Sequence, residues 1–234
     1  MSGLSLVIPM YNEEGGIRHV IEVATESLER TCSDHQIVIV NDCSTDDSGR
    51  IADELAASDE RIQVIHNEKN VKLGRSLRAG FQAATKDFVL YSDADLPFDF
   101  EEIGRALRIL SLTGADIVSA FRIDRTSEGT LRSFYSFVYN LVIRVAFGLR
   151  VKDVNFSFKL MRRAVLETIE LKSEGSFIDA ELLLRARKAN FHIVQMGVDY
   201  FPRIHGTSTL ARPSVIVKLV KELVELGSQI GRVS

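Results

Sequence analysis

The sequence predicts an α/β fold, a mostly parallel central sheet covered by helices on both faces. Three observations predict it. Short apolar runs recur at 4–8, 37–40, 62–65 and 88–91, each bounded by turn residues, and strands buried on both faces of a parallel sheet have that composition. Stretches with apolar residues at helical spacing lie between them, at 16–28, 51–57 and 77–84, which gives the strand–helix alternation of βαβ units. The 234 residues, 45% of them hydrophobic, suffice for one large core without disulfides or a structural metal.

Taken in order, the first run is stopped by Pro9, the second leads into the polar turn 41–47, and the fourth into Asp93-Ala94-Asp95. After a fifth strand near Ile117 the pattern changes. Residues 122–132 read as a polar loop containing Gly129, and 134–147 as a helix with an unusually aromatic face. A strand is expected at 156–161, helices at 164–169 and 179–189, and a further strand at 191–200. A loop at 202–213 and an amphipathic helix at 215–226 close the chain. No repeat, low-complexity tract or linker interrupts it, so 1–234 reads as one domain with a C-terminal helical elaboration.

Composition excludes several classes. The formal net charge of −3 at pH 7 is spread along the chain, so no global basic field points to nucleic acid. Cys32 and Cys43 have no metal-ligand spacing and suggest no disulfide scaffold; a reducing, cytoplasmic setting is the expectation. The start, MSGLSLVIP, lacks the basic and long apolar regions of a signal peptide. A spanning helix is not expected either, because no apolar stretch reaches about 18 residues without charge.

Polar residues follow each of the first four strands: Asn12 and Glu13, Asn41 and Asp42, Asn67 and Asn70, Asp93 and Asp95. In an open parallel sheet these loops share the carboxyl edge, where ligands bind. The alternative is that Asn, Asp and Gly simply make good turns.

The ordered motifs are Val7-Ile8-Pro9-Met10-Tyr11-Asn12-Glu13-Glu14, Ile39-Val40-Asn41-Asp42-Cys43-Ser44-Thr45-Asp46, the segment 70–80, and Tyr91-Ser92-Asp93-Ala94-Asp95-Leu96. In this order they resemble family 2 glycosyltransferases of the GT-A fold, especially the polyprenol-phosphate (dolichol-phosphate) mannose or glucose synthase branch. Weaker resemblance continues through 155–163, 177–183 and 203–208. The resemblance implies a three-layer α/β/α domain whose residues 1–120 bind a nucleotide-diphosphate sugar and whose residues 121–234 face the acceptor. It also implies inverting transfer assisted by Mg²⁺ or Mn²⁺, with polyprenyl phosphate as acceptor.

The same resemblance assigns roles. Asp95 is the metal ligand, and Asp93 is shared between metal and nucleotide across Ala94. Pro9, Tyr11, Asn12 and Glu13 form the base- and ribose-contacting loop, and Asp42 contacts the base. Gly74 allows close approach, and Lys72 or Arg75 meets phosphate. On the acceptor side, Arg203 and Ser208 match an Arg-x-x-Gly-x-Ser loop, in which Arg grips phosphate; His205 within it is incidental. Arg122, Arg125 and Arg132 are further phosphate candidates in the loop after the fifth strand. Asp179 is the candidate general base if the acceptor is a hydroxyl, whereas a phosphate acceptor needs none.

Each role has a plainer counterpart. Asp93 and Asp95 can make an Asx turn, Pro9 can end a strand, Glu13 can favour a helix start, and Lys72, Arg75 and the loop arginines can be solvated. Asp179 can be a helix N-cap, with Glu181 in solvent. One departure stands out: the synthase pattern after Asp-Ala-Asp-Leu is Gln or Ser and a His-Pro-Pro type turn, but here Pro97-Phe98-Asp99 follows. That removes one metal or phosphate contact.

The aromatic helix at 134–147 is too short and too charged to span a bilayer. It either lies in a membrane interface, placing the protein peripherally on the inner face, or packs on the sheet or in a homodimer. Two other functions compete. A non-catalytic nucleotide-sugar-binding subunit would not need Asp42, Asp93 and Asp95 together, and a nucleotidyltransferase would show a Gly- and Lys-rich loop where Tyr11-Asn12-Glu13-Glu14 stands.

Overall fold

A computed structural model describes residues 3–95, 98–124 and 130–201, with side chains from 135 onward in the last segment. The elements are β1 (Leu4–Met10), α1 (Ile17–Thr31), β2 (His35–Asn41), α2 (Ser48–Ser58), β3 (Ile62–His66), α3 (Lys72–Ala83), β4 (Phe88–Tyr91), α4 (Glu102–Thr113), β5 (Ile117–Arg122), α5 (Thr130–Phe147), β6 (Lys159–Arg162), α6 (Arg163–Thr168), α7 (Ile178–Lys188) and β7 (Ile193–Val198).

They build one seven-stranded sheet of order β3-β2-β1-β4-β6-β5-β7. The pairs β1–β2, β2–β3, β1–β4 and β5–β7 are parallel, and β6 runs antiparallel between β4 and β5. Only β6 opposes the rest, so the mostly parallel sheet and the GT-A-type layering are as the sequence implied.

Alternation along β1 sets the layers. Leu4, Leu6, Ile8 and Met10 join the core under α1, α2 and α4, and Val7 joins the core under α3, α5 and α7. α3 approaches the sheet closely at Gly80, where a Cβ would lie 2.3 Å from Val7 Cγ1. α4 was not anticipated. It buries Ile103, Ala106 and Leu110 at i, i+3 and i+7 and ends at Gly114 with φ 63°, a left-handed C-cap.

Other boundaries differ for physical reasons. α3 begins at Lys72 rather than 77, so Lys72 and Arg75 lie on a helix. β6 is shorter than 156–161 because Phe156 and Phe158 serve as buried aromatic packing before the ladder begins. The expected polar loop 122–132 is partly regular: β5 reaches Arg122 and α5 starts at Thr130. The loop at 202–213 and the helix at 215–226 lie outside the described residues.

α5 packs through Ile143 and Phe147 but leaves Tyr135, Phe137, Val138, Leu141, Val142 and Val145 exposed, Phe137 at 63%. Asn140 accepts from the Val154 N–H at 3.0 Å and donates to Ser136 O at 2.9 Å. Among the described residues no helix is long and apolar enough to cross a membrane.

Candidate active site

Parallel pairing of β1, β2, β3 and β4 brings the four polar loops to one sheet edge. The loops are tied to one another. Asn12 Oδ1 accepts from Thr45 N at 2.8 Å, while Ser44 and Ser48 hydroxyls accept from Asn12 N and Glu13 N at 3.0 and 2.8 Å. Asn41 Oδ1 accepts from Ser44 N at 3.0 Å. Three non-glycine residues here have positive φ: Asn12 at 56°, Cys43 at 60° and Lys72 at 69°. Such conformations cost free energy and persist where the surroundings over-determine them, commonly at functional sites. Tyr11 stands 48% exposed at this edge, and Pro9 pairs in register with Val40 inside the sheet.

Asp42 is the hub of these loops. Its carboxylate is buried and accepts from Val71 N at 2.8 Å, Lys72 N at 2.9 Å and Asn67 Nδ2 at 3.0 Å. The first two are donors at the start of α3, where a carboxylate also meets the positive helix end. A carboxylate offers about four acceptor sites, so this capping leaves capacity for one more donor.

The phosphate contact expected of Lys72 or Arg75, and the close approach expected at Gly74, meet a different arrangement. Arg75 hydrogen-bonds Glu174, and Lys72 Nζ lies 3.8 Å from the same carboxylate. The Arg75 bond, aided by its charge and those of Lys72 and Arg78, holds the Glu174 carboxyl below its usual range. Gly74 faces protein: its N–H donates to Glu174 O at 2.8 Å, and a Cβ there would sit 2.4 Å from Ser173 O. The glycine allows α3 to lie against the 173–174 backbone, which is close approach of chain to chain.

Asp93, Ala94 and Asp95 form a turn directly after β4. Tyr91, the last residue of β4, is buried and its hydroxyl lies 3.3 Å from Asp93 Oδ1. Burial first, then the negative charges of Asp179 and Asp93, push the phenol well above its ordinary value, so it stays protonated and donates. Beyond the turn, Phe98 is buried edge-on against Phe100, Phe156 and Phe158, with ring centroids at 5.2, 6.1 and 4.6 Å. The departure at 97–99 therefore has a packing consequence: an aromatic plug stands where the synthase pattern has a polar turn.

From β5 onward, charges are buried in pairs. Lys159, on β6 opposite Tyr91, is fully buried; its Nζ donates to Asp179 Oδ1 at 2.6 Å and Phe156 O at 2.7 Å. Asp179 is 4% exposed. Burial pushes its carboxyl up to about 6, with Lys159 opposing and the charges of Asp93 and Asp153 reinforcing the rise. Arg122, expected in an open loop, instead ends β5 with its guanidinium buried on Asp153, at 2.7 and 2.9 Å, and stacked 5.4 Å from the Phe156 ring and 5.3 Å from the Tyr200 ring. Its charge is committed within the protein. Glu181, expected in solvent, is fully buried and accepts from Lys172 N, Ser173 N and Arg185 Nε at 2.7–3.0 Å. The N-cap of α7 is Phe177, so Asp179 sits in the first turn rather than at the cap.

These pairs leave a simple charge balance. Lys159 offsets Asp179 and Arg122 offsets Asp153, while Asp93 and Asp95 supply two carboxylates on one turn. Among the described residues no group of three or more His, Cys, Asp or Glu converges as a self-sufficient cage. That donor set fits a hard divalent ion, which takes one or two carboxylates and completes its shell with phosphate oxygens and water. Arg125, Arg203, His205 and Ser208 lie outside the described residues, as does the Arg132 side chain.

Lys159, Asp153, Tyr91 and Glu174 were not singled out by sequence reasoning. Lys159 had a usable signal, a lone lysine inside the apolar run Phe156-Ser157-Phe158-Lys159-Leu160-Met161, because a charge in a strand core requires a partner. Asp153 and Glu174 had none, since their partners lie far away in sequence.

Comparison with known proteins places the whole arrangement. Residues 5–170 match the family model for glycosyl transferase family 2. The chain is 29% identical over 236 residues to glycosyltransferase AglD of Haloferax volcanii, covering 98% of this chain but 36% of that protein. It is 28% identical over 223 residues to polyprenol monophosphomannose synthase of Mycolicibacterium smegmatis, covering 90% of this chain and 82% of that one. In structure it is similar to glucosyl-3-phosphoglycerate synthase from Mycobacterium tuberculosis in complex with Mn²⁺, UDP-glucose and phosphoglyceric acid. There the TM-score is 0.73 at 20% identity, covering 100% of this chain and 81% of that chain. With its α/β sheet, its Asp93-Ala94-Asp95 turn and a family match over residues 5–170, this chain has the GT-A fold and belongs to glycosyl transferase family 2.

Proposed function

We propose that the protein moves a hexose, with inversion, from a nucleotide-diphosphate sugar to polyprenyl phosphate at a membrane surface. The observation that carries the acceptor assignment is the exposed apolar face of α5, which follows the carboxyl end of β5 on the acceptor half. An exposed apolar helix face on the chain that follows β5 suits a lipid-borne acceptor. The similarity to a polyprenol monophosphomannose synthase over 90% of this chain supports it.

In this reading the loops bearing Pro9, Tyr11, Asn12, Glu13 and Asp42 bind the nucleoside. Asp93 and Asp95 hold a Mg²⁺ or Mn²⁺, which when bound neutralises charge developing on the leaving diphosphate. The acceptor phosphate oxygen is already anionic near neutral pH and attacks the sugar from the face opposite the leaving group. Catalysis is then positioning and charge stabilisation, with Arg203, Ser208 and Arg132 as the proposed grip on the acceptor phosphate.

A second reading is favoured by Asp179. A buried carboxyl raised to about 6 is suited to take a proton from a hydroxyl acceptor near neutral pH. Initial rates of Asp179→Asn and Arg203→Ala on polyprenyl phosphate separate the two, with folding checked by thermal melting. The lipid-phosphate reading expects Asp179→Asn, though less stable for the loss of the Lys159 partner, to keep most activity per folded molecule, and Arg203→Ala to be severe. A loss of roughly a hundredfold in Asp179→Asn, with Arg203→Ala intact, would sink it. The wild-type pH profile separates the two readings independently: a hydroxyl acceptor brings an acid limb near pH 6, because Asp179 works only as carboxylate.

A further inference from the structure

We propose that Tyr91 is a positioning residue for the divalent-ion site: its phenol fixes the Asp93 carboxylate, and buried Lys159 fixes the phenol ring from the neighbouring strand. This rests on the reading of Asp93 and Asp95 as ion ligands, and is independent of the acceptor.

The geometry is continuous from the core to the turn. Tyr91 and Lys159 are register partners across β4 and β6. The Lys159 ammonium lies 5.6 Å from the Tyr91 ring centroid, within the range of cation–π attraction, which strengthens when the cation is desolvated. That ammonium is immobilised by Phe156 O and Asp179 Oδ1, so the ring has a fixed support. Asp93 lies two residues beyond Tyr91, the last residue of β4, and the hydroxyl reaches Asp93 Oδ1 at 3.3 Å. The phenol is buried and holds a single proton to donate. With Oδ1 pinned toward the sheet, the carboxylate presents Oδ2 in one orientation rather than sampling several.

Groups that orient metal ligands typically contribute roughly 10–100-fold in metal affinity. The 3.3 Å separation is long for an O–H···O bond, which places the expected effect near the lower end, about tenfold. Tyr91→Phe removes the hydroxyl and keeps the ring on Lys159.

The experiment titrates Mn²⁺ calorimetrically into the full chain, wild type and Tyr91→Phe, with UDP or GDP present, alongside nucleotide affinity without metal and a thermal melt. The expected result is Mn²⁺ binding weakened about tenfold, with metal-free nucleotide affinity and Tm near wild type. Equal Mn²⁺ affinity in the two proteins overturns the inference and leaves the ion site standing. A fall in Tm and in both affinities together also overturns it, since that is general loosening. If the wild type itself takes up no Mn²⁺ with either nucleotide, the ion reading fails and the inference falls with it.

Discussion

The N-terminal half, proposed above as the donor side, and the C-terminal half, proposed as the acceptor side, handle polar groups in opposite ways. In the donor half, the loops after β1, β2 and β3 sit at the sheet edge and bind mainly each other's backbone, as Asp42 does at the start of α3. In the acceptor half, charged side chains are driven inward and matched in pairs, Lys159 with Asp179 and Arg122 with Asp153. A loop network held by backbone N–H groups tolerates a ligand arriving among its remaining acceptors. A buried ion pair does not tolerate loss of one member, because the other is left uncompensated. Substitutions at the edge loops should therefore be read mainly in binding and turnover, and substitutions at the buried charge pairs mainly in stability.

The largest expected effect lies in the acceptor half. Glu181→Ala leaves the N–H groups of Lys172 and Ser173 and the Arg185 guanidinium without their buried acceptor. The cost should be about 3–5 kcal/mol, read as a Tm drop on the order of 10 °C. A melt unchanged from wild type would break the comparison at its strongest point. Next comes Asp95→Ala, in the donor half. Turnover should fall on the order of a hundredfold or more, about 3 kcal/mol of transition-state stabilisation, with Tm unaffected. Near-wild-type turnover with the correct donor would remove Asp95 from the chemistry.

Gly74→Ala probes the seam between the halves. A methyl 2.4 Å from Ser173 O and 2.7 Å from the Glu174 carbonyl carbon meets backbone, which cannot swing aside. A destabilisation of about 1–3 kcal/mol is expected by urea titration. No loss would mean that α3 and the 173–174 segment can separate freely. Asp42→Ala is the mildest and the most diagnostic. Loss of the α3 cap should cost about 1 kcal/mol, and with Asp42 in its proposed role at the base, remote from the reacting bond, the donor KM should rise while kcat is spared. A large fall in kcat at unchanged donor affinity would move Asp42 to the reaction centre.

The donor half was legible in the sequence because its chemistry follows its strands. Four apolar runs ending in Asn12-Glu13, Asn41-Asp42, Asn67 and Asp93-Ala94-Asp95 place their side chains at one edge once the sheet is parallel, and parallel pairing follows from the alternation itself. Internal use of the same residues was hidden: Asp42 also caps α3, and Lys72, Gly74 and Arg75 face the 173–174 segment. The acceptor half was less legible because pairing across the fold leaves no local trace. Asp153 and Arg122 are 31 positions apart, and Lys159 and Asp179 are 20 apart. Glu181 looked solvated on a helix with polar neighbours; only the folded 172–173 segment shows why it is buried. α4 was overlooked because its apolar residues Ile103, Ala106 and Leu110 are interrupted by charges and follow the Phe98–Phe100 plug without a break.

In the proposed function the Asp93-Ala94-Asp95 turn holds the donor diphosphate through a divalent ion. Calorimetric binding of a panel of nucleotide sugars, with and without Mn²⁺, to wild type and Asp95→Ala tests it most directly. At least one nucleotide sugar should bind the wild type tightly only when Mn²⁺ is present, and Asp95→Ala should lose the Mn²⁺-dependent part while keeping its melt. Binding of equal strength with and without Mn²⁺, the same in both proteins, would contradict the claim.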